Sequence, residues 1–378
     1  MKKVYTLIFL AFSLSVYSQT INTFYQSASI DDGLAIDGEG NLYGSHYMGS
    51  IVWKITPDGV RSKFMSGLDT PNGLAFDSNG DLHIVDNQGG AIYKVAPDSI
   101  VTELVSNIFS PSGIIKMPNS DTMIVSCWEG NRLVKVAPDG SFETFIEGNG
   151  LVGPVGLAYD ENDNLYIGNY TNRWIYRIDP SGDLDTITHL NVPGQNIGFI
   201  AYREGFIYAT IPWDNKIYKV DPEGNYELYA GSSAGNTNGD ISEAKLNGPN
   251  GILLSPDGES FYISDFNSTN VRIISSLDGS VGTNDFIRQT SITESSITPN
   301  PAIQLTKLNF ELSKKEEVSI TVLNINGQLM RTVFINQTML SGSHSIQIDT
   351  TGFPKGAYFI QIKTTSGDEV VKKLIKGE

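Results

Sequence analysis

One feature constrains this chain more than any other. A Gly followed by an apolar run returns six times, at Gly33, Gly73, Gly113, Gly156, Gly198 and Gly251, with spacings of 40, 40, 43, 42 and 53 residues. Around each anchor, as in "PNGLAFDSNGDLHIVDNQGGAIYKVAPDS", short apolar runs alternate with Gly, Asn and Pro-Asp turns. Each unit reads as four antiparallel strands. A single sheet of that size cannot cover its own faces, so the copies must stack on one another. Four-stranded units at this period form an all-β, six-bladed β-propeller, here over residues 19–284. The segment "INTFYQSAS" precedes the first unit, and the sixth unit ends after three strands. The N-terminal segment is therefore expected to supply the outer strand of blade six, closing the ring and removing its free edges.

The ends of the chain belong to other elements. Residues 1–18 have a Lys pair, an apolar run and a small-residue exit, the pattern of a signal peptide, and no later stretch is long enough to span a bilayer. The single cysteine, Cys127, has no internal partner, so the core alone must hold the fold. It reads as a small buried hydrophobe. Residues 285–297, "DFIRQTSITESSI", lack the repeat and read as a linker. Residues 298–378 alternate apolar and polar positions around an Asn-Gly turn at 326–327, which describes a small Ig-like β-sandwich. Charge follows the same division. Residues 4–296 hold 15 Lys+Arg against 35 Asp+Glu, whereas residues 297–378 hold 9 against 7. So acidic a body excludes nucleic acid and anionic membrane as partners and leaves room for a cation site.

The register of the repeat locates a candidate site. The residue before each anchor glycine should stand near the central channel, and these are Asp32, Asn72, Ser112, Val155, Ile197 and Asn250. Blades six, one and two are neighbours in a closed ring, so Asn250, Asp32 and Asn72 form a polar arc facing Val155 and Ile197. One carboxylate and two amide carbonyls are hard oxygen donors suited to Ca²⁺ or another divalent metal. The competing reading is that Asn and Asp before Gly only cap tight turns. Loops joining the second and third strands share this face. They present His46-Tyr47, Asp86-Asn87, Cys127-Trp128, Asn169-Tyr170, Pro212-Trp213 and Asp265-Phe266. Tyr47, Trp128, Tyr170, Trp213 and Phe266 thus supply aromatics from five of six blades, a ring able to stack on a sugar face or a peptide unless it packs between blades. His46 is the one histidine expected there, while Asp86 and Asp265 recur at one blade position and read as loop supports. No Ser-His-Asp order, phosphate-binding loop or histidine cluster appears. The insertion at 231–248 reads as a mobile loop over the same face.

Two resemblances follow from these residues. "YAGSSAGNTNGDISEAKLNGPNGILLSPDGESFYISDFNSTNVRII" resembles an NHL repeat, and the other five units are similar to the broader superfamily of SMP-30/gluconolactonase and strictosidine-synthase-like propellers. The resemblance covers residues 22–284. In the lactonases it implies a divalent metal held by a Glu, two Asn and an Asp. Asp32 stands where that family places Glu, Asn72 and Asn250 match its Asn-Gly positions, and the fourth ligand has no counterpart. The tail resembles the type A sorting domain of the type IX secretion system, through "PNP" at 299–301, "VLNINGQLM" at 322–330, "GFPKGAYFIQIKT" at 352–364 and the terminal "VVKKLIK". This implies type IX secretion machinery as a partner, export across an outer membrane, and release or attachment at the cell surface. Three functions are open: binding of an extracellular glycan or protein, metal-dependent lactone hydrolysis, and a surface scaffold without a small-molecule site.

Overall fold

The computed structural model describes residues 19–275, 277, 292–312, 314–324, 328–365 and 369–377. The leader read at residues 1–18 lies outside them. The chain divides into two compact units, Met1–Phe286 and Ile287–Glu378.

In the first unit every repeat is one antiparallel sheet whose strands follow chain order. Blade one runs from inner to outer edge through Leu34–Ile36, Leu42–His46, Ile51–Ile55 and Arg61–Ser66, and blades two to five repeat this order. Blade six takes Pro249–Leu254, Ser260–Asp265 and Val271–Ser275 from its own repeat, and Thr20–Tyr25 from the other end of the unit. Thr20 faces Ser275 and Ile21 faces Ile274 in that antiparallel pairing. The ring therefore closes as the repeat count requires.

Packing explains the composition of the strands. Each blade is covered on both faces by its neighbours, so a middle strand such as Met123–Cys127 is buried at every residue instead of alternating. Six apolar clusters lie between successive blades. Ala35, Tyr43 and Val52 of blade one pack on Leu74 and Ile84 of blade two, and the last cluster joins Leu34 and Leu42 of blade one to Val271 of blade six. Cys127 is fully buried in the cluster between blades two and three, as a small apolar side chain would be.

The anchor glycines sit where inner strands approach most closely. A methyl group at Gly73 would stand 2.6 Å from the Ser112 carbonyl oxygen, and one at Gly113 would overlap the Val155 carbonyl oxygen. A second device locks four of the six carbonyls at these approaches. The hydroxyls of Ser45, Ser126, Thr210 and Ser264 donate to the carbonyls of Asn72, Val155, Asn250 and Asp32 in the next blade, at 2.7, 3.1, 2.6 and 2.6 Å. Blades two and four have Val85 and Gly168 at this position and lack the latch.

Much of the acidity is spent in turns. Asp37 accepts the backbone N–H groups of Glu39 and Asn41, and Asp77, Asp160 and Asp179 do the same in their own turns. The 231–248 insertion departs from its sequence reading. Gly239–Asp240 pairs with Thr20–Tyr25 at the outer edge of blade six, and the fully buried Arg272 donates to Lys245 O at 2.8 Å and Asn238 Oδ1 at 2.9 Å. The insertion is a strap tied down by a buried guanidinium, because it leaves the outer strand Tyr226–Ala230 and must cross that edge to reach the next inner strand.

The second unit is a two-sheet sandwich. Ile292–Thr298, Leu305–Leu312 and Gly342–Asp349 form one sheet, and Leu329–Met339, Glu316–Asn324, Gly356–Thr364 and Glu369–Lys376 form the other. Val318, Ile320 and Val322 alternate into a core with Leu308, Phe310, Ile360 and Leu374. Residues 292–297, read as part of the linker, belong to the first strand, where Ile292 is buried in that core and Ile297 packs against it. The strand lies at the edge of its sheet, and its run of four polar residues is what reads as a linker.

Candidate functional site

A cavity of about 690 Å³, counting its open mouth, lies where the inner strands begin. Pre-glycine residues Asp32, Asn72, Ser112, Val155 and Asn250 line it together with Tyr47, Trp128, Tyr170, Trp213 and Phe266. Two loop residues, Asn87 and Pro212, complete the lining. All five loop aromatics and all three oxygen-donor candidates are thus gathered around one space, and five of the six pre-glycine positions line it. Inner-strand ends such as Phe76, Lys116 and Tyr202 line a separate depression.

Two residues lie elsewhere for physical reasons. His46 does not line the cavity. Its Nε2 is 3.6 Å from Asp31 Oδ2, and its ring packs on the Gly49 turn, where a methyl group would overlap it. Ile197 is fully buried in the apolar cluster between blades four and five, with Leu190 and Ile200. The Ile197 side chain gains more from the interblade core than from the channel, whereas Val155, at the same position one blade earlier, lines the cavity.

Each loop is held by its own support. Tyr47 donates its backbone N–H to Asp31 Oδ1 at 2.7 Å. The Trp128 indole donates to Thr171 Oγ1 at 3.3 Å and lies against Gly153, where any side chain would collide with it. Trp128 and Tyr170 meet edge to face with centroids 6.3 Å apart. Trp213 sits in the 3₁₀ turn Pro212–Asp214, which opens on a proline and closes on Asn215 in a left-handed conformation. That turn leaves Trp213 59% exposed at the rim. Asp86 accepts the Asp69 N–H, and Asp265 pairs with Arg272 at 3.3 Å, so both recurring aspartates brace loops.

The floor is acidic and buried. Asp32 is 3% exposed and accepts from Asn250 Nδ2 at 3.0 Å. Burial, reinforced by the neighbouring Asp31 charge, pushes the Asp32 carboxyl well above the usual carboxylate range. Asp31, 1% exposed, is pushed up to about 6, again chiefly by burial. The Tyr47 hydroxyl is raised by burial first and by the Asp32 charge second, and the Tyr170 hydroxyl is raised by burial, with a hydrogen bond to Trp213 opposing and the Asp32 charge adding a smaller push. Asn72 is 6% exposed, and its buried Oδ1 has no hydrogen-bond partner. Asn87 donates to Pro111 O at 2.7 Å and Ser112 Oγ at 3.1 Å, fixing the arc beside it. Sequence reading passed over Asp31 because it falls one residue outside the repeat register. It also passed over the hydroxyl latch, whose signal was a Ser or Thr one place before the end of the second strand.

Residues 296–377 match the family described as a secretion system C-terminal sorting domain. The tail is such a sorting domain. No curated protein matches the chain in sequence. Among solved structures, virginiamycin B lyase from Staphylococcus aureus is similar with a TM-score of 0.53 and 17% identity, covering 68% of this chain and 99% of that one. An auxiliary nutrient binding protein from Bacteroides ovatus reaches 0.58 at 17% identity, covering 68% and 77%. A gluconolactonase from Xanthomonas campestris reaches 0.55 at 14% identity, covering 68% and 89%. These likenesses establish the propeller fold. Ahead of the sorting domain, then, stands a six-bladed propeller whose chemistry must be argued from its own cavity.

Proposed function

We propose that the propeller is an extracellular binding module that holds a glycan or protein ligand in this cavity, and that the sorting domain delivers it to the cell surface or beyond. The observation that carries the reading is the convergence of Tyr47, Trp128, Tyr170, Trp213 and Phe266, from five blades, on one cavity with buried hydrogen-bonding groups at its floor. Flat aromatic faces bind the apolar faces of sugars and peptide side chains, and a few polar groups fix orientation. The nutrient-binding neighbour supports this use of the fold. A glycan array probed with the exported chain tests it. Trp213→Ala, a change at an exposed rim residue, is expected to weaken a hit about tenfold without altering the melting temperature. Blank glycan and peptide arrays would sink the reading.

A divalent cation is the second reading of the same floor, favoured by the orphaned Asn72 Oδ1 in a cavity shared with Asp32. Against it, Asn250 turns its amide NH₂, not its carbonyl, toward Asp32, and among the described residues no second carboxylate lines the cavity. The donor set therefore does not fit a lactonase metal, and no step of hydrolysis is assigned to one. A melting curve that rises with Ca²⁺ in the wild type and not in Asp32→Asn would reinstate the cation.

A further inference from the structure

Asp32 differs from the other buried carboxylates of the propeller. Asp265 has the Arg272 guanidinium at 3.3 Å, and Asp81 has Lys94 Nζ at 3.1 Å. Asp86 receives the Asp69 N–H, and Asp160 receives two backbone N–H groups and the Asn164 amide. Asp31 receives the Tyr47 N–H and has His46 nearby. Asp32, by contrast, has one neutral side-chain donor, Asn250, and faces a cavity that no Lys, Arg or His lines among the described residues. A carboxylate removed from water without a counter-charge costs several kcal/mol.

The surroundings ask for the same complement. Asn72 lines the cavity with a buried acceptor that lacks a donor. Five aromatic side chains surround the space, and aromatic faces attract ammonium groups through their negative quadrupole. Acceptors at the floor, aromatics on the walls and no resident cation describe a receptor for a protonated amine. Raised as it is by burial, the Asp32 carboxyl gives up its proton in this cavity only against a cation. A neutral sugar would satisfy the hydrogen bonds without supplying one, and an anionic sugar would oppose ionisation further.

We propose that the ligand of this cavity is a glycan bearing a free amino group, its ammonium seated between Asp32 and Asn72 and its ring faces against the aromatic walls. This rests on the binding function proposed above and names its ligand class. Calorimetry of the exported chain with short glucosamine oligomers, their N-acetylated counterparts and cello-oligosaccharides of equal length tests it, at a pH where the free amine is protonated. The expected result is a preference of roughly 30-fold for the free amine, the usual worth of a charge-assisted hydrogen bond. Asp32→Asn keeps the shape of the site and should abolish that preference. Asp139→Asn removes the same charge from an exposed turn and should retain it, which excludes general attraction of a polycation to an acidic protein. Equal binding of free and N-acetylated oligomers, or a preference that survives in Asp32→Asn, overturns the ammonium assignment while leaving glycan binding intact. Binding that appears only with Ca²⁺ and disappears in Asp32→Asn assigns the carboxylate to a metal and also overturns it. Failure of all three oligomer classes overturns this proposal and, with blank peptide arrays, the binding function as well.

Discussion

Arg272→Ala is expected to remove on the order of 4 kcal/mol of stability, because it leaves one member of a buried ion pair alone. Arg272 and Asp265 are both fully buried, and the same guanidinium ties the strap to blade six through Lys245 O and Asn238 Oδ1. Burial pushes the Asp265 carboxyl up to about 6 even though Arg272 pulls it down. The folded state therefore holds this proton more tightly than the unfolded chain, whose value is near 3.8. Asp265's contribution is greatest below the unfolded value and declines as pH rises through about 6. Without the guanidinium the carboxyl rises further, so the decline extends to higher pH and grows. Urea unfolding at about pH 5 and about pH 8 should show the gap between wild type and Arg272→Ala widening at the higher pH. An equal gap at both would mean that lost packing, not the stranded carboxylate, carries the effect. Proteolysis within 237–245 should also accelerate in the variant, since its anchor is gone.

Gly113→Ala should cost about 3 kcal/mol or more although it adds a single methyl group. That methyl would overlap the Val155 carbonyl oxygen and stand 3.0 Å from Ser126 Oγ, which itself latches the same carbonyl. Backbone cannot rotate away as a side chain can, so the inner strands of blades three and four must separate. Gly38→Ala, at an exposed turn with no atom within 4 Å of the added carbon, is the matched control and should be near neutral. Comparable midpoints for the two variants in urea would refute the close-approach account. Because Val155 also lines the cavity, Gly113→Ala should weaken ligand binding beyond what its stability loss explains.

These glycines also show what could be read from the chain alone. Blade number, ring order and closure by "INTFYQSAS" were legible because a repeat makes each position vote six times. The cavity lining was legible for the same reason: once the register is set, Asp32, Asn72 and Asn250 become neighbours, and the aromatics of five loops fall on one face. Features that occur once escaped. The strap was misread because its Gly/Asn/Ser content looks mobile, whereas Arg272, a charged residue within a strand, was the sign of a buried anchor. His46 was assigned to the cavity because the carboxylate that holds it, Asp31, lies outside the register. Ile197 went to the core because blade order cannot tell which way an apolar side chain turns. The first strand of the sandwich was hidden by its run of four polar residues.

The pairing of Thr20 with Ser275 has a kinetic meaning. The first strand to be made is the last to find its partner, so ring closure must bring together segments separated by almost the whole propeller. Contacts this distant in sequence slow folding. Until they form, Val271–Ser275 presents an unpaired edge to any other chain in the same state. A propeller that closes in this way is therefore most exposed to swapping its terminal strand with a neighbour before the ring closes, and dilution during refolding should favour the monomer.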